Sequence, residues 1–152
     1  MAGFKVLATN HTSFTVSDLD RTLAFFRDAM GFEVTAKGPR DPAIVSQITG
    51  IEGTDMLVAY VRGAGHSLEL IQYLGPKEGR GRVRSLPCDV GFAHVAYDVD
   101  DIDGAMQAAA RHNVMPIGEV AVINAGPNAG GRVVYLRDAD GVTIEFIEKP
   151  SP

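Results

Sequence analysis

Cysteine, tryptophan and long apolar runs are scarce or missing in this sequence of 152 residues. Cys88 is the only cysteine, so no disulfide can form within the sequence, which fits a reducing compartment. No apolar run approaches the roughly 20 residues that a membrane-spanning helix requires. The first residues also lack the apolar core of a secretory signal. We therefore expect a cytoplasmic protein that does not enter a membrane.

Runs of basic residues are missing as well. The sequence has 14 lysines and arginines against 19 aspartates and glutamates, a net charge of −5. Because nucleic-acid binding needs clustered positive charge to neutralise phosphates, a nucleic-acid partner is not expected. The hydrophobic share of 45% is instead typical of a globular protein.

A repeated phrase is the clearest positive signal. His11 is followed five residues later by Val16 and then by an Asp-Leu-Asp triplet at 18–20. His94 is followed five residues later by Val99 and then by an Asp-Ile-Asp triplet at 101–103. A helical pattern comes after each copy. We interpret the chain as two half-length units, each opening with a histidine on a strand.

Periodicity places further elements in each unit. In the first unit, period-two alternation predicts a strand over 11–16, and apolar residues at helical spacing predict a helix that stops at Gly31. Residues 43–53 fit either a short helix or an irregular lid. Later strands are predicted over 32–35, 56–62, 66–74, 120–123, 132–137 and 142–148. The predicted class is α+β with a mixed sheet, duplicated as strand, helix and three strands. The two repeats span about 6–75 and 90–149, joined by a linker at 76–89.

Two glutamates occupy matching places near the end of each unit. Glu69 lies between Leu68 and Leu70, and Glu145 lies between Ile144 and Phe146, so each carboxylate is out of phase with its apolar neighbours. A buried carboxylate is costly unless it is paired. Together with His11 and His94, these glutamates predict a mixed nitrogen and oxygen shell for a divalent ion, suited to Zn, Ni, Co, Mn or Fe.

Arg132 and Arg137 bracket the strand that follows a glycine-rich loop at 124–131. Either arginine could hold a substrate carboxylate through paired N–H donors. Solvated charges on a strand are the alternative. The loop itself is either a hairpin turn or a segment that covers the substrate.

The arrangement resembles the vicinal oxygen chelate superfamily, also called the glyoxalase/bleomycin-resistance/dioxygenase fold. The residues that carry the resemblance are His11 with 16–20, the helix to 31–33, 68–70, His94 with 99–103, and 137–147. The resemblance implies a single domain over 1–152, with two βαβββ modules that form a half-open cup of mixed sheet around one metal, helices outside.

The glyoxalase I branch of that family, lactoylglutathione lyase-like, has four metal ligands, which His11, Glu69, His94 and Glu145 match residue by residue. The resemblance therefore implies a metal-dependent lyase or isomerase of glyoxalase type. In such an enzyme a proton is abstracted next to a carbonyl, the enediolate is bound to the metal, and Glu145 or Glu69 acts as the base.

Other reactions on the same fold stay open. The alternatives are a methylmalonyl-CoA epimerase-like isomerase, an Fe(II) extradiol-type dioxygenase, and a non-catalytic small-molecule binding or resistance protein. We expect a homodimer that acts on a small-molecule substrate, with one metal per site. The site lies either within one chain or between two.

Overall fold

Two mixed β-sheets, one from each half of the chain, form the framework of this computed structural model, which describes residues 3–78, 81 and 86–150. The first sheet contains β1 (Thr12–Thr15), β2 (Glu33–Pro39), β3 (Asp55–Gly63) and β4 (His66–Gly75) in the order β1-β4-β3-β2. The second contains β5 (Val95–Val99), β6 (Met115–Pro116), β7 (Ala121–Val122), β8 (Arg132–Arg137) and β9 (Thr143–Glu148). Its order is β5-β9-β8-β6, with β7 also on β8.

Strand direction confirms the mixed character of both sheets. β1 runs parallel to β4, and β5 runs parallel to β9, whereas the other pairs are antiparallel. A parallel pair needs a crossover connection, which the helix supplies in each half. The predicted α+β class with duplicated strand-helix-strand units is therefore confirmed.

The first helix of each half is capped by an aspartate from the repeated phrase. α1 (Leu19–Ala24) continues as a π-helical turn (Phe25–Ala29), and Asp18 accepts a hydrogen bond from the Arg21 amide. α3 (Ile102–Ala110) begins in the same way, with Asp101 accepting from the Gly104 amide. These bonds satisfy amide groups that lack partners at a helix start. None of the helices in the described residues is long and apolar enough to cross a bilayer.

Some boundaries differ from the sequence predictions. His11 and His94 each lie one residue before their strand, because the parallel ladders begin at Thr12 and Val95. The ambiguous residues 43–53 form a helix in their first part: α2 (Pro42–Thr49) begins one residue earlier and is capped by Asp41. The strand predicted at 120–123 shortens to the two residues of β7. The repeat boundaries stay a prediction, and residues 79–80 and 82–85 of the predicted linker lie outside the described residues.

Strand alternation decides which face of each sheet is buried. Leu68 and Leu70 on β4 are fully buried, as are Ile144 and Phe146 on β9. They share one core with helix residues, namely Leu19, Leu23, Phe26, Ile102 and Ala109. Because successive side chains of a strand point to opposite faces, the glutamates between these residues lie on the faces away from that core.

Polar and aromatic contacts join the two halves. Asp140, in the turn between β8 and β9, accepts hydrogen bonds from the amide of Ser17 at 2.8 Å and from its hydroxyl at 2.6 Å. The same carboxylate pairs with Arg21 at 2.5 Å, and only 5% of the Asp140 side chain is exposed. Phe32 and Tyr97 pack edge to face with ring centroids 5.5 Å apart. The relative placement of the halves is thus fixed by a buried charge as well as by packing.

Replacement of Asp140 by alanine is expected to lower the free energy of unfolding by about 2–4 kcal/mol, because it leaves Ser17 and Arg21 without their acceptor. Urea denaturation followed by circular dichroism measures this loss. Asp28→Ala is the matched control, since Asp28 pairs with the neighbouring exposed Arg27 and its removal should change the free energy of unfolding far less. Equal losses in the two variants would contradict the role given to Asp140.

Candidate metal centre

Each half of the chain brings one predicted histidine to one predicted glutamate. His11 Nε2 lies 3.2 Å from Glu69 Oε2, and the exposed fractions of the two side chains are 30% and 14%. His94 Nε2 lies 3.1 Å from Glu145 Oε2, with exposed fractions of 31% and 16%. The near identity of spacing and exposure shows that the duplicated sequence builds the same pair twice. We call His11 with Glu69 the first half-site and His94 with Glu145 the second half-site.

The parallel ladders explain why both pairs form. Ser13 lies beside Glu69 on the neighbouring strand, and Ala96 lies beside Glu145. In each half, the histidine stands two residues before that neighbour and therefore on the same face of the sheet. Its ring reaches back along this face towards the glutamate. The pairing of each histidine with a glutamate is thus a consequence of strand register.

A tyrosine stands directly opposite each glutamate on the antiparallel neighbour: Tyr60 opposite Glu69, and Tyr135 opposite Glu145. The Tyr60 hydroxyl donates a hydrogen bond to Glu69 Oε1 at 2.5 Å. Within the described part of the chain, Tyr135 makes no corresponding bond to Glu145. Among the described residues, Glu69 thus has a contact at each carboxylate oxygen, from Tyr60 and His11, whereas Glu145 has one at Oε2 alone, from the His94 ring.

The pKa values of the two tyrosines reflect the neighbouring carboxylates. The hydrogen bond to Glu69, followed by burial, raises the pKa of Tyr60 above its usual value. Burial, followed by the charge of Glu145, raises the pKa of Tyr135. In both cases the negative carboxylate disfavours a second negative charge on the phenol oxygen. Each half-site is thus an acidic patch that favours a positive charge beside it.

The spacing of each pair fits two positions on a metal ion. Two ligand atoms bonded to one ion at about 2.0–2.2 Å lie roughly 3.0–3.4 Å apart, which matches both half-sites. Two ligands are fewer than the three or four that protein zinc sites provide. Among residues 3–78, 81 and 86–150, no group of three or more histidine, cysteine, aspartate or glutamate side chains is placed to hold a metal ion. A single chain therefore presents two half-sites and does not gather the four predicted ligands.

Arg132 lies on the helix side of the second sheet, and all three nitrogens of its guanidinium group donate hydrogen bonds. Its Nε and Nη2 donate to the two carboxylate oxygens of Glu148 at 2.9 and 2.8 Å, and Nη1 donates to Asp103 at 2.8 Å. These bonds raise the pKa of Arg132 and lower the pKa of Glu148. Glu148 also accepts from the amide of Ile102 at the start of α3. Arg132 thus joins β8, β9 and α3, with each of its nitrogens bonded to a carboxylate.

Arg137 lies on the opposite face from Arg132. The two arginines are five residues apart on β8, and an odd separation on a strand places side chains on opposite faces. Val134 and Leu136 of β8 are buried in the core, so Arg137 shares the face of Tyr135 and Glu145. Of the two arginines predicted from the sequence, the structure brings this one to the second half-site.

The two tyrosines are not among the site residues predicted from the sequence, although the sequence carries a signal for them. Tyr60 is followed by Val61 and Arg62, and Tyr135 is followed by Leu136 and Arg137. This order of tyrosine, aliphatic residue and arginine occurs on the strand opposite each glutamate. Comparison of the two halves strand by strand would have revealed it.

Comparisons with known proteins identify the family and its relatives. Residues 8–146 match the family model described as the Glyoxalase/Bleomycin resistance protein/Dioxygenase superfamily. The chain is 31% identical over 150 residues to a 2-epi-5-epi-valiolone epimerase from an Actinomyces species, covering 95% of this chain and 81% of that protein. It is 30% identical over 146 residues to a lactoylglutathione lyase from Haemophilus influenzae, covering 93% of this chain and 92% of that protein.

A solved structure shows the same fold. The crystal structure of a glyoxalase family protein from Bacillus cereus superposes with a TM-score of 0.84 over 99% of both chains. Its sequence identity to this chain is 24%, so this likeness concerns the fold alone.

Glu69→Ala is expected to lower the pKa of Tyr60 towards the ordinary tyrosine value of about 10, because the hydrogen-bond acceptor and its charge are removed. Carbon-13 NMR of tyrosine labelled at Cζ, recorded across pH, measures this pKa directly. The matched variant Glu145→Ala should lower the pKa of Tyr135 and leave that of Tyr60 in place. An unchanged Tyr60 pKa in Glu69→Ala would contradict the geometry of the first half-site.

Proposed function

The chain belongs to the glyoxalase/bleomycin resistance protein/dioxygenase superfamily, and on that premise we propose that it is a metal-dependent lyase or isomerase of the glyoxalase type. Its reaction removes a proton from a carbon next to a substrate carbonyl and returns it to that carbon or to the neighbouring one. The observation that carries this proposal is the duplicated half-site. Two imidazole nitrogens each lie within 3.2 Å of a carboxylate oxygen on corresponding faces of the two sheets.

The complete site forms between two copies of the chain in a homodimer. The first half-site of one chain meets the second half-site of its partner, so that each dimer holds two sites with two histidines and two glutamates apiece. The incomplete shell of the single chain supports this assembly. So does exposure: in both half-sites the imidazole keeps about a third of its surface open, which leaves room for further ligands. The enzyme acts in the cytoplasm, in keeping with its single cysteine.

The shell of two histidines and two glutamates suits one divalent ion per site, such as Ni, Co, Zn, Mn or Fe. When bound, the ion supplies positive charge that favours the negative charge developing on the substrate oxygens as the proton leaves. Within each half-site, the histidine and the glutamate present Nε2 and Oε2 towards each other. Those two atoms are the ones that would hold the ion.

Glu145 is the base in this proposal, and Glu69 is a fixed ligand. The Tyr60 hydroxyl donates to Glu69 Oε1 and so holds that carboxylate in one orientation. Glu145 receives no such bond from the described residues, so its Oε1 is free to take the proton. A general base must come within hydrogen-bond reach of the proton it removes, and a carboxylate restrained at one oxygen can turn towards it. Tyr60 is then a positioning residue.

The relatives support the class of reaction more than any one substrate. One is named an epimerase and another a lyase, at 31% and 30% identity. An epimerase inverts a carbon centre, and a carbon next to a carbonyl is inverted by loss and return of its proton. Both names are compatible with one chemistry at one site.

Glu145→Gln is expected to lower the rate of proton exchange at the reacting carbon about a hundredfold or more, because the base is lost, while divalent-metal content is largely kept. Substrate NMR in deuterium oxide measures exchange on a hemithioacetal, a hydroxy ketone and an acyl-CoA thioester. Metal content is measured on protein purified without a polyhistidine tag.

Glu33→Gln is the control for this experiment, since Glu33 is exposed on β2 and should leave exchange unchanged. Undiminished exchange in Glu145→Gln would remove Glu145 from the base role. Full exchange in chelator-treated, metal-free protein would overturn the metal-dependent reaction as a whole.

A further inference from the structure

A cavity of about 490 Å³ lies beside the second half-site. Its polar side chains are those of Glu119, Glu145, Tyr135 and Arg137, and its apolar lining includes Ile117. The volume falls within the range of small-molecule sites, which are mostly apolar with a few polar groups that fix orientation. A molecule in this cavity would touch the proposed base and an arginine at the same time.

Arg137 differs in its partners from three other arginines of the described residues. Arg21, Arg27 and Arg132 each pair with a carboxylate. Arg137 has no carboxylate partner within residues 3–78, 81 and 86–150; its Nε donates to the Thr143 hydroxyl at 2.9 Å. Its Nη2 is buried and has no hydrogen-bond partner in the described structure.

The surroundings of Arg137 hold the cation in place without satisfying it. The Phe92 ring covers the guanidinium, with Cζ 5.6 Å from the ring centroid. Phe92 in turn packs near Tyr135, with ring centroids 6.4 Å apart. A buried N–H group without an acceptor is destabilising, and an anion bound to the guanidinium would supply the missing acceptor. The planar guanidinium is instead shaped for a carboxylate or a phosphate, which it binds through parallel N–H donors.

The equivalent position in the first half shows that this environment is not a general result of the fold. Arg62 also follows its tyrosine by two residues and also has a hydroxyl neighbour, Ser67, at 3.5 Å. Arg62 is exposed, however, whereas Arg137 is half-buried. Of these two equivalent arginines only Arg137 is sheltered, whereas in the first half it is Arg40 that lies over a ring, with Cζ 5.6 Å from the centroid of Tyr60.

We propose that Arg137 binds an anionic oxygen group of the substrate, a carboxylate or a phosphate, and so selects small acidic substrates. This inference rests on the proposed function, because it places the anion relative to the base. Tyr135 lies opposite Glu145, and Arg137 is two residues further along the same face, a separation of roughly 7 Å. The anionic group is therefore a few bonds away from the carbon that loses its proton. The substrate class is a small oxo acid, hydroxy acid or phosphate ester.

The test uses the full chain after removal of metal by a chelator, so that it reads anion binding without activity. Proton–nitrogen NMR of the arginine Nε–H groups is recorded during titration with inorganic phosphate and, separately, with acetate. The Arg137 signal is identified by its loss in Arg137→Met. We expect a saturable shift of this signal with at least one anion. In Arg137→Met, anion affinity is measured from the nearby backbone amide signals and should be about tenfold or more weaker.

Arg62→Met is the matched control and should change anion affinity less than twofold. Arg137→Lys keeps the charge but loses the planar fork, and an intermediate affinity is expected if it folds like the wild type. Saturation by phosphate alone, by acetate alone or by both supports the site and identifies the anion it takes. Equal affinity in wild type and Arg137→Met, or no saturable shift, would overturn it. Metal content and proton exchange are measured separately, so a failure here is distinguishable from a failure of the proposed function.

Discussion

The alternation of side chains along a β-strand determines both the core and the candidate site of this protein. Leu68 and Leu70 must face the helices to form the core, so Glu69 must face away from it. The same requirement acts on Glu145 between Ile144 and Phe146. Burial of the core residues thus orients the two carboxylates. Each histidine lies near its glutamate because the parallel ladder fixes the register between their two strands. The same strands therefore provide the buried core on one face and the candidate metal ligands on the other.

The contacts that stabilise the joined halves lie apart from the candidate metal ligands. Asp140 with Ser17 and Arg21, and the edge-to-face contact of Phe32 with Tyr97, lie away from the glutamate-bearing faces. Arg132 holds β9 to α3 from the helix side in the same way. The open faces therefore need no internal partner to keep their shape. Groups on them can remain incompletely satisfied, as Arg137 is.

Much of this arrangement was predictable from the sequence, because period-two patterns and a repeated phrase need no knowledge of tertiary contacts. The α+β class, the aspartate caps and the outward faces of both glutamates follow from local pattern. The placement of Arg132 and Arg137 on opposite faces of their strand was also predictable, since they are five residues apart. Local pattern could not show that, in the described part of the chain, Tyr60 donates to Glu69 while Tyr135 makes no such bond to Glu145, because that depends on side-chain positions across strands. It also could not decide whether four ligands meet within one chain, because this depends on how the two sheets are placed.

The central claim is that two chains complete one metal shell, and a heterodimer of complementary variants tests it most directly. One chain carries His11→Ala with Glu69→Ala, its partner carries His94→Ala with Glu145→Ala, and two different tags without histidine allow the mixed dimer to be purified. In this dimer one site keeps all four ligands and the other keeps none. Metal analysis should therefore find one divalent ion per heterodimer, and far less in either homodimer. A heterodimer without bound metal, alongside a wild-type protein that holds it, would contradict the account, because it would mean that the four ligands must come from one chain.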